Sequence, residues 1–276
     1  MKLYKIPQSL VIESNDQFYL VEHQDWDHFF NDDYLFEKLK HYTKELQPHP
    51  EGKSLLNDVL TPIGDQEIWA AGVTYIRSKV ERQAESKDSG GAEFYARVYE
   101  AERPELFFKA NPHRVVGHGQ KVRIRKDSNW DVPEPELTLA ITSSGKIVGY
   151  TIGNDMSSRS IEGENPLYLP QAKCYDKSAS IGPCIYVTDA PIPRETEISL
   201  EIIRKEKIFE GSVAVSQIKR SFQELVAFLY RECSFPEGCY LMTGTGIVPG
   251  NDFTLQSGDE IRIHIPVIGT LVNYVE

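Results

Sequence analysis

The sequence predicts an α+β fold, mainly β, with a small α/β domain at its N-terminus. Three observations carry that prediction. Short β-rich runs separated by turn residues recur from Ile68 to the C-terminus, and helical periodicity is confined to a few segments. A linker-like stretch, Gln47-Pro48-His49-Pro50-Glu51-Gly52, precedes the β-rich part. Before that stretch, Leu10–Ile12 and Phe18–Val21 flank the turn-forming Ser14-Asn15-Asp16 and read as two short strands. Leu35, Phe36, Leu39, Tyr42 and Leu46 follow helical spacing, and the helix they predict ends before Pro48. Residues 1–64 are therefore expected to form the small domain and residues 65–276 the larger one.

In the larger part, strands are predicted at Ile68–Val73, Glu105–Lys109, Lys121–Ile124, Glu136–Ile141, Ile147–Ile152, Ile185–Val187 and Ile198–Ile203. Gly238–Met242, Glu260–Ile265 and Thr270–Val275 continue the pattern. Two helical segments interrupt it. One is a charged stretch from about Tyr75 to Glu102, broken by Asp88-Ser89-Gly90-Gly91. The other starts at Ser221, where Ser221 and Glu224 form a capping-box pattern ahead of the apolar face Phe222, Leu225, Val226 and Leu229.

Composition narrows the function classes. With 276 residues, 40% of them hydrophobic and 26% charged, the chain has ordinary globular proportions. A formal net charge of −11 argues against nucleic acid as a partner. No apolar run approaches the roughly 20 residues that span a bilayer, so no membrane partner is expected either. The opening MKLYKIPQSLVIESND has neither the apolar core nor the cleavage site of a secretory signal. Cys174, Cys184, Cys233 and Cys239 show no CxxC spacing and read as reduced structural thiols, so a cytoplasmic location is expected.

The chemistry-bearing stretch begins at Asp131-Val132-Pro133-Glu134-Pro135-Glu136-Leu137. On an extended backbone Glu134 and Glu136 point the same way. Two such carboxylates repel unless solvent separates them, as at a strand edge, or a hard cation binds between them. The short connection Ser143-Ser144-Gly145-Lys146 makes Glu136–Ile141 and Ile147–Ile152 a hairpin. That hairpin carries Asp155 back towards the two glutamates, giving three carboxylates suited to magnesium, manganese or calcium. Farther on, Lys173 is able to polarise a substrate oxygen or exchange a proton if burial shifts its acidity.

The ordered motifs Glu134-x-Glu136-Leu137, Gly149-Tyr150-Thr151-x-x-Asn154-Asp155-x-Ser157-x-Arg159 and Ala172-Lys173-x-Tyr175-Asp176, with a following Gly182-Pro183, resemble the fumarylacetoacetate hydrolase family. Leu241-Met242-Thr243-Gly244-Thr245-Gly246 and the closing Gly269-Thr270-Leu271-Val272-Asn273 extend the likeness from about residue 66 to the end. The resemblance implies a mixed β-roll catalytic domain, a homodimer or dimer of dimers, and Mg2+ held by Glu134, Glu136 and Asp155. It implies a 2-oxo acid as substrate, with Lys173 supporting the developing enolate.

The departures from the family pattern point to one branch. Residues 75–105 contain no histidine, whereas the eponymous hydrolases place a His–Glu pair there; the seven histidines are at 23, 28, 41, 49, 113, 118 and 264. Lys177 stands where a threonine is common. Gly72-Val73-Thr74-Tyr75-Ile76-Arg77-Ser78-Lys79 and Tyr99 to Lys109 resemble instead the branch of 2-keto-3-deoxy-D-arabinonate dehydratases. The function so implied is loss of water from a 2-keto-3-deoxy sugar acid to give 2,5-dioxopentanoate. The catalytic pair expected is Lys173 and Glu105, with substrate contacts from Thr74, Arg77, Lys79, Lys109, Asp176 and Thr245. Arg77, Lys79 and Arg82 share a helical face of a lid-like segment hinged at Gly90-Gly91. The competing readings are a metal-dependent hydrolase, decarboxylase or tautomerase of an acylpyruvate or related diketo acid, and a catalytically silent binding protein.

Overall fold

The strand Pro135–Ile141 is buried at every position, as expected where neighbours lie on both edges and layers cover both faces. It occupies the middle of a ten-stranded sheet in a computed structural model that describes residues 1–77 and 97–276. Lys79, Arg82 and the Gly90-Gly91 pair lie outside the described residues. Across the sheet the order is Gln17–Glu22, Ser9–Ser14, Lys2–Ile6, Ala179–Tyr186, Ile147–Asp155, Pro135–Ile141, Cys239–Met242, Glu67–Gly72 and Glu105–Ala110. The tenth strand, Val115–Val116, runs parallel to Ala179–Tyr186 off this path. A second sheet of five strands runs Glu206–Ala214, Glu197–Arg204, Glu260–Ile265, Gly269–Val275 and Lys121–Val122. The fold is mainly β, as the sequence predicts.

The predicted hairpin is present. Pro135–Ile141 pairs antiparallel with Ile147–Asp155, with Glu136 opposite Gly153 and Pro135 opposite Asn154. Its turn closes through Thr142 N–H donating to the Lys146 carbonyl at 3.0 Å, with Gly145 at a φ of +83° that suits glycine.

Strand alternation divides the apolar residues between two cores. Leu137, Leu139, Ile141 and Ile152 join Leu200, Ile202, Ile261 and Ile263 of the second sheet. Ala140, Tyr240, Met242, Ile68 and Ala70 face the other way, onto Trp26, Phe29, Phe30, Leu35 and Leu39. Those last residues lie on the helices Trp26–Phe30 and Leu35–Glu45, the second close to its predicted bounds. The first three strands join the main sheet through Leu3, which pairs with Ile185. The N-terminal residues thus share both sheet and core with the rest.

The helix at Phe222–Leu229 starts as predicted, the Ser221 hydroxyl accepting from Glu224 N–H at 3.1 Å. Several elements escape sequence periodicity. The helices Arg159–Glu164 and Leu169–Lys173 are too short to display it, and the strand Glu206–Ala214 is an edge strand exposed over most of its length.

Candidate functional site

Glu134, Glu136 and Asp155 converge at one end of the hairpin, each offering an oxygen within 4.8 Å of the others'. The register is fixed locally by Asp155 N–H donating to the Glu134 carbonyl at 3.0 Å. Their exposure is only 4%, 1% and 1%, which removes them from the solvated strand edge that would otherwise account for a Glu-x-Glu.

Buried carboxylates need compensation. Lys173, at the end of its short helix, bridges Glu134 Oε2 at 2.7 Å and Asp155 Oδ2 at 2.9 Å. Arg159, at the start of the preceding helix, donates to Glu134 Oε1 at 2.7 Å. Lys109 contacts Asp155 Oδ1 at 2.5 Å and donates to the carbonyls of Met156 and Lys173 at 2.9 and 2.5 Å. Burial, the largest influence, lowers the Lys109 ammonium below its ordinary value, while Asp155 opposes the shift. Glu136 has no lysine or arginine as an ion-pair partner among the described residues; it accepts Gly244 N–H at 2.5 Å. Burial first, then Asp155 and Glu134, push its carboxyl well above the usual range.

These features fit a hard divalent cation. The donor set is all oxygen, as Mg2+-class ions require. Glu136 has no ion-pair partner among the described residues, Lys173 acting on it only from a distance. The carboxylates face a small cavity of about 10 Å³, close to the room that one water-sized occupant needs. Ala71, Gly72, Val73, Phe107, Arg159, Gly244 and Thr245 also line it, and no histidine does among the described residues.

The remaining predicted residues divide. Glu105 pairs with Gly72 across the sheet, and a Cβ on Gly72 would fall 2.0 Å from Glu105 Oε2. The glycine therefore leaves the space in which the Glu105 carboxylate lies, beside the cavity wall. Phe107, two residues on, stands 5.8 Å from the Lys173 ammonium by its ring centroid. Thr245 lines the cavity, its hydroxyl accepting Ile247 N–H at 3.1 Å. Thr74 is buried, with its hydroxyl donated to the Thr243 carbonyl at 2.7 Å. Arg77 is exposed and donates to the Val248 carbonyl at 3.1 Å, over the C-terminal loop.

Two residues sit otherwise than expected. Lys109 gives protons to two carbonyls and ion-pairs with Asp155, which fits a structural counter-ion better than a group reserved for substrate. Asp176, with a side chain 71% exposed, is not part of the cavity wall; it faces Arg123 and Arg114 at 3.6 and 3.9 Å in a separate groove. Arg159 is the residue that sequence reasoning named only within a motif. Its position, four residues after Asp155, was the available signal.

Together the mixed β fold and the buried acidic cradle with its lysine define a metal-binding enzyme class. The fumarylacetoacetate (FAA) hydrolase C-terminal family model matches residues 67–276, and the chain belongs to that family. It is 50% identical over 216 residues to a probable 2-keto-3-deoxyxylonate dehydratase of Haloferax volcanii, covering 78% of this chain and 73% of that protein. It is 43% identical over 227 residues to 2-dehydro-3-deoxy-D-arabinonate dehydratase of Saccharolobus solfataricus, covering 80% and 76%. A solved structure of 2-keto-3-deoxy-D-arabinonate dehydratase complexed with magnesium and 2,5-dioxopentanoate superposes with a TM-score of 0.84. That match covers 100% of this chain and 99% of the other at 35% identity. Among the described residues, no helix is long and apolar enough to cross a membrane.

Proposed function

We propose that the protein is a Mg2+-dependent dehydratase that removes water from a 2-keto-3-deoxy sugar acid, such as 2-dehydro-3-deoxy-D-arabinonate, to give 2,5-dioxopentanoate. The observation that carries this reading is the buried triad Glu134, Glu136 and Asp155 with the Lys173 ammonium wedged between two of its members. The relatives named as sugar-acid dehydratases support the substrate class.

The three carboxylates would hold the ion, which when bound supplies a Lewis acid for the 1-carboxylate and 2-oxo oxygens of the substrate. Lys173, after passing its own ammonium proton to solvent, takes as a free amine the proton from C3, the carbon made acidic by the adjacent keto group. Glu105, beside the cavity wall, gives a proton to the departing 4-hydroxyl, so that water leaves and C3 joins C4 by a double bond. A proton shift from C5 to C3 then gives the C4–C5 enol, and passage of its hydroxyl proton to C4 yields the aldehyde. Thr245, on the cavity wall, gives its hydroxyl proton to the Ile247 carbonyl at 3.2 Å, which leaves its oxygen as an acceptor for a substrate hydroxyl. The absence of histidine from the described residues of that wall favours dehydration over a water-activating hydrolytic dyad.

The division at residues 64 and 65 goes with this reading, since the family model begins at residue 67. A cytoplasmic homodimer or dimer of dimers completes it, to be checked by light scattering. The direct test is to incubate the protein with 2-keto-3-deoxypentonates, with Mg2+ or with chelator, and weigh the product. Loss of one water, dependent on the metal, is expected. A carboxylic-acid fragment, or undiminished turnover in chelator, overturns the assignment.

A further inference from the structure

We propose that Thr74 is a positioning residue for Glu136, acting through the single peptide unit that joins Thr243 to Gly244. The proposal rests on Glu134, Glu136 and Asp155 being the cation's ligands. Both ends of that peptide are engaged. Its carbonyl accepts the Thr74 hydroxyl at 2.7 Å, and its N–H donates to Glu136 Oε2 at 2.5 Å.

The surrounding bonds aim the unit. Thr243 gives both its N–H, at 3.1 Å, and its hydroxyl, at 2.8 Å, to the carbonyl of Leu137, the residue after Glu136. Gly244 sits at a φ of +91°, and a Cβ there would lie 2.1 Å from Thr74 Oγ1. Glycine at 244 thus allows Thr74 to reach the carbonyl behind it. Thr74 is itself held, its carbonyl accepting Lys219 N–H at 3.0 Å. The preceding Val73 adopts a φ of +51°, a conformation that a β-branched residue takes only under constraint from its surroundings.

The consequence is electrostatic as well as steric. A hydroxyl donating to a peptide carbonyl polarises the unit and strengthens the hydrogen bond made by its N–H. Glu136 is the ligand without a lysine or arginine partner among the described residues, so this N–H is what orients it in place of a counter-ion. The lone hydroxyl proton of Thr74 is spent on Thr243, which makes the residue a support for a ligand and not a contact for substrate.

The test is calorimetric titration of MgCl2 into the metal-stripped full-length protein, with thermal melts in chelator as a check on folding. Thr74→Val should weaken Mg2+ binding about tenfold or more, as loss of outer-shell partners typically does, while Thr74→Ser stays within about threefold of wild type. If Thr74→Val fails to melt cooperatively, Thr74→Ala is measured against the same thresholds. Wild-type affinity in the valine or alanine variant, or a serine variant as weak as valine, overturns the positioning role alone. A wild-type protein that binds no Mg2+ overturns the metal reading and this proposal with it.

Discussion

Two charged clusters flank the segment from Lys173 to Asp176, and the same kinds of side chain give them opposite characters. On one side Glu134 and Asp155 meet Lys109, Lys173 and Arg159 at 2.5–2.9 Å, with no side chain more than 5% exposed. On the other, Asp176 and Asp127 meet Arg114, Arg123 and Arg125 in an open groove of about 540 Å³, their side chains 20–71% exposed. The larger opening is not the better site. A pair 4 Å apart is worth about 1 kcal/mol in bulk water and about 4 kcal/mol at the effective dielectric of a protein's edge, so burial weights the smaller cluster. Burial also goes with a defined cationic partner for both Glu134 and Asp155. The groove's contacts to Asp176 are longer, at 3.6 and 3.9 Å.

The contrast is tested most severely at Glu136. Replacing it with glutamine keeps the shape and removes the charge. Metal-dependent turnover should fall at least about a thousandfold, on the order of 4 kcal/mol of transition-state stabilisation, with the fold retained. Product formation in the presence of Mg2+, followed beside far-ultraviolet dichroism, decides it, and near-normal activity would detach the carboxylates from the chemistry. Next in size is Lys109→Met. It strips Asp155 of one cation and leaves the carbonyls of Met156 and Lys173 without their donor. Removal of one partner from a buried ion pair costs about 3–5 kcal/mol, and Lys173 still neighbours Asp155, so about 3 kcal/mol is expected from urea unfolding. A loss below about 1 kcal/mol would put this lysine on a par with a surface charge.

How far this was legible in the sequence follows from distance along the chain. The carboxylate triad was readable because strand alternation pairs Glu134 with Glu136, and a short hairpin returns Asp155 to them. The capping box at Ser221 was readable for the same reason, being local. Lys109 was not, because its acceptors Met156 and Lys173 lie 47 and 64 residues away. Asp176 stands three residues after Lys173 and was expected beside it. The chain leaves the helix at Cys174, and the turn through Lys177, at a φ of +57°, carries the aspartate to the surface instead. The joining of the N-terminal strands to the main sheet depends on Lys2 meeting Tyr186, a contact that no local pattern encodes.

Gly72→Ala sharpens the comparison from within the cradle, because its effect should fall on chemistry and not on stability. The added methyl meets the far end of the Glu105 side chain at 2.0 Å, and a flexible carboxylate is able to swing away. Unfolding should change by less than about 1 kcal/mol. If Glu105 transfers a proton, its displacement should lower kcat by about 10²-fold, the lower end of what general acid–base groups contribute. Mg2+ affinity should hold steady, since Glu105 is not one of the three ligands. An alanine variant with unchanged kcat would remove Glu105 from the reaction while leaving the metal centre intact.

The smallest effect belongs to the groove. Arg125 grips Asp127 through two contacts, 2.8 and 2.6 Å, yet the aspartate is 62% exposed. The guanidinium's hydrogen bonds hold its carboxyl below the ordinary value of 3.8. A carboxylate lowered in the folded state stabilises at pH values above its unfolded pKa and loses that contribution as pH falls through the lowered one. At neutral pH the pair is therefore fully formed, and solvent and salt screen it. Asp127→Asn should leave the urea midpoint within measurement error at pH 7 in 0.15 M salt, with any difference from wild type growing only as salt is removed. A midpoint shift as large as that of Lys109→Met would mean that exposure does not separate the two clusters, and that the groove deserves the same functional scrutiny as the cradle.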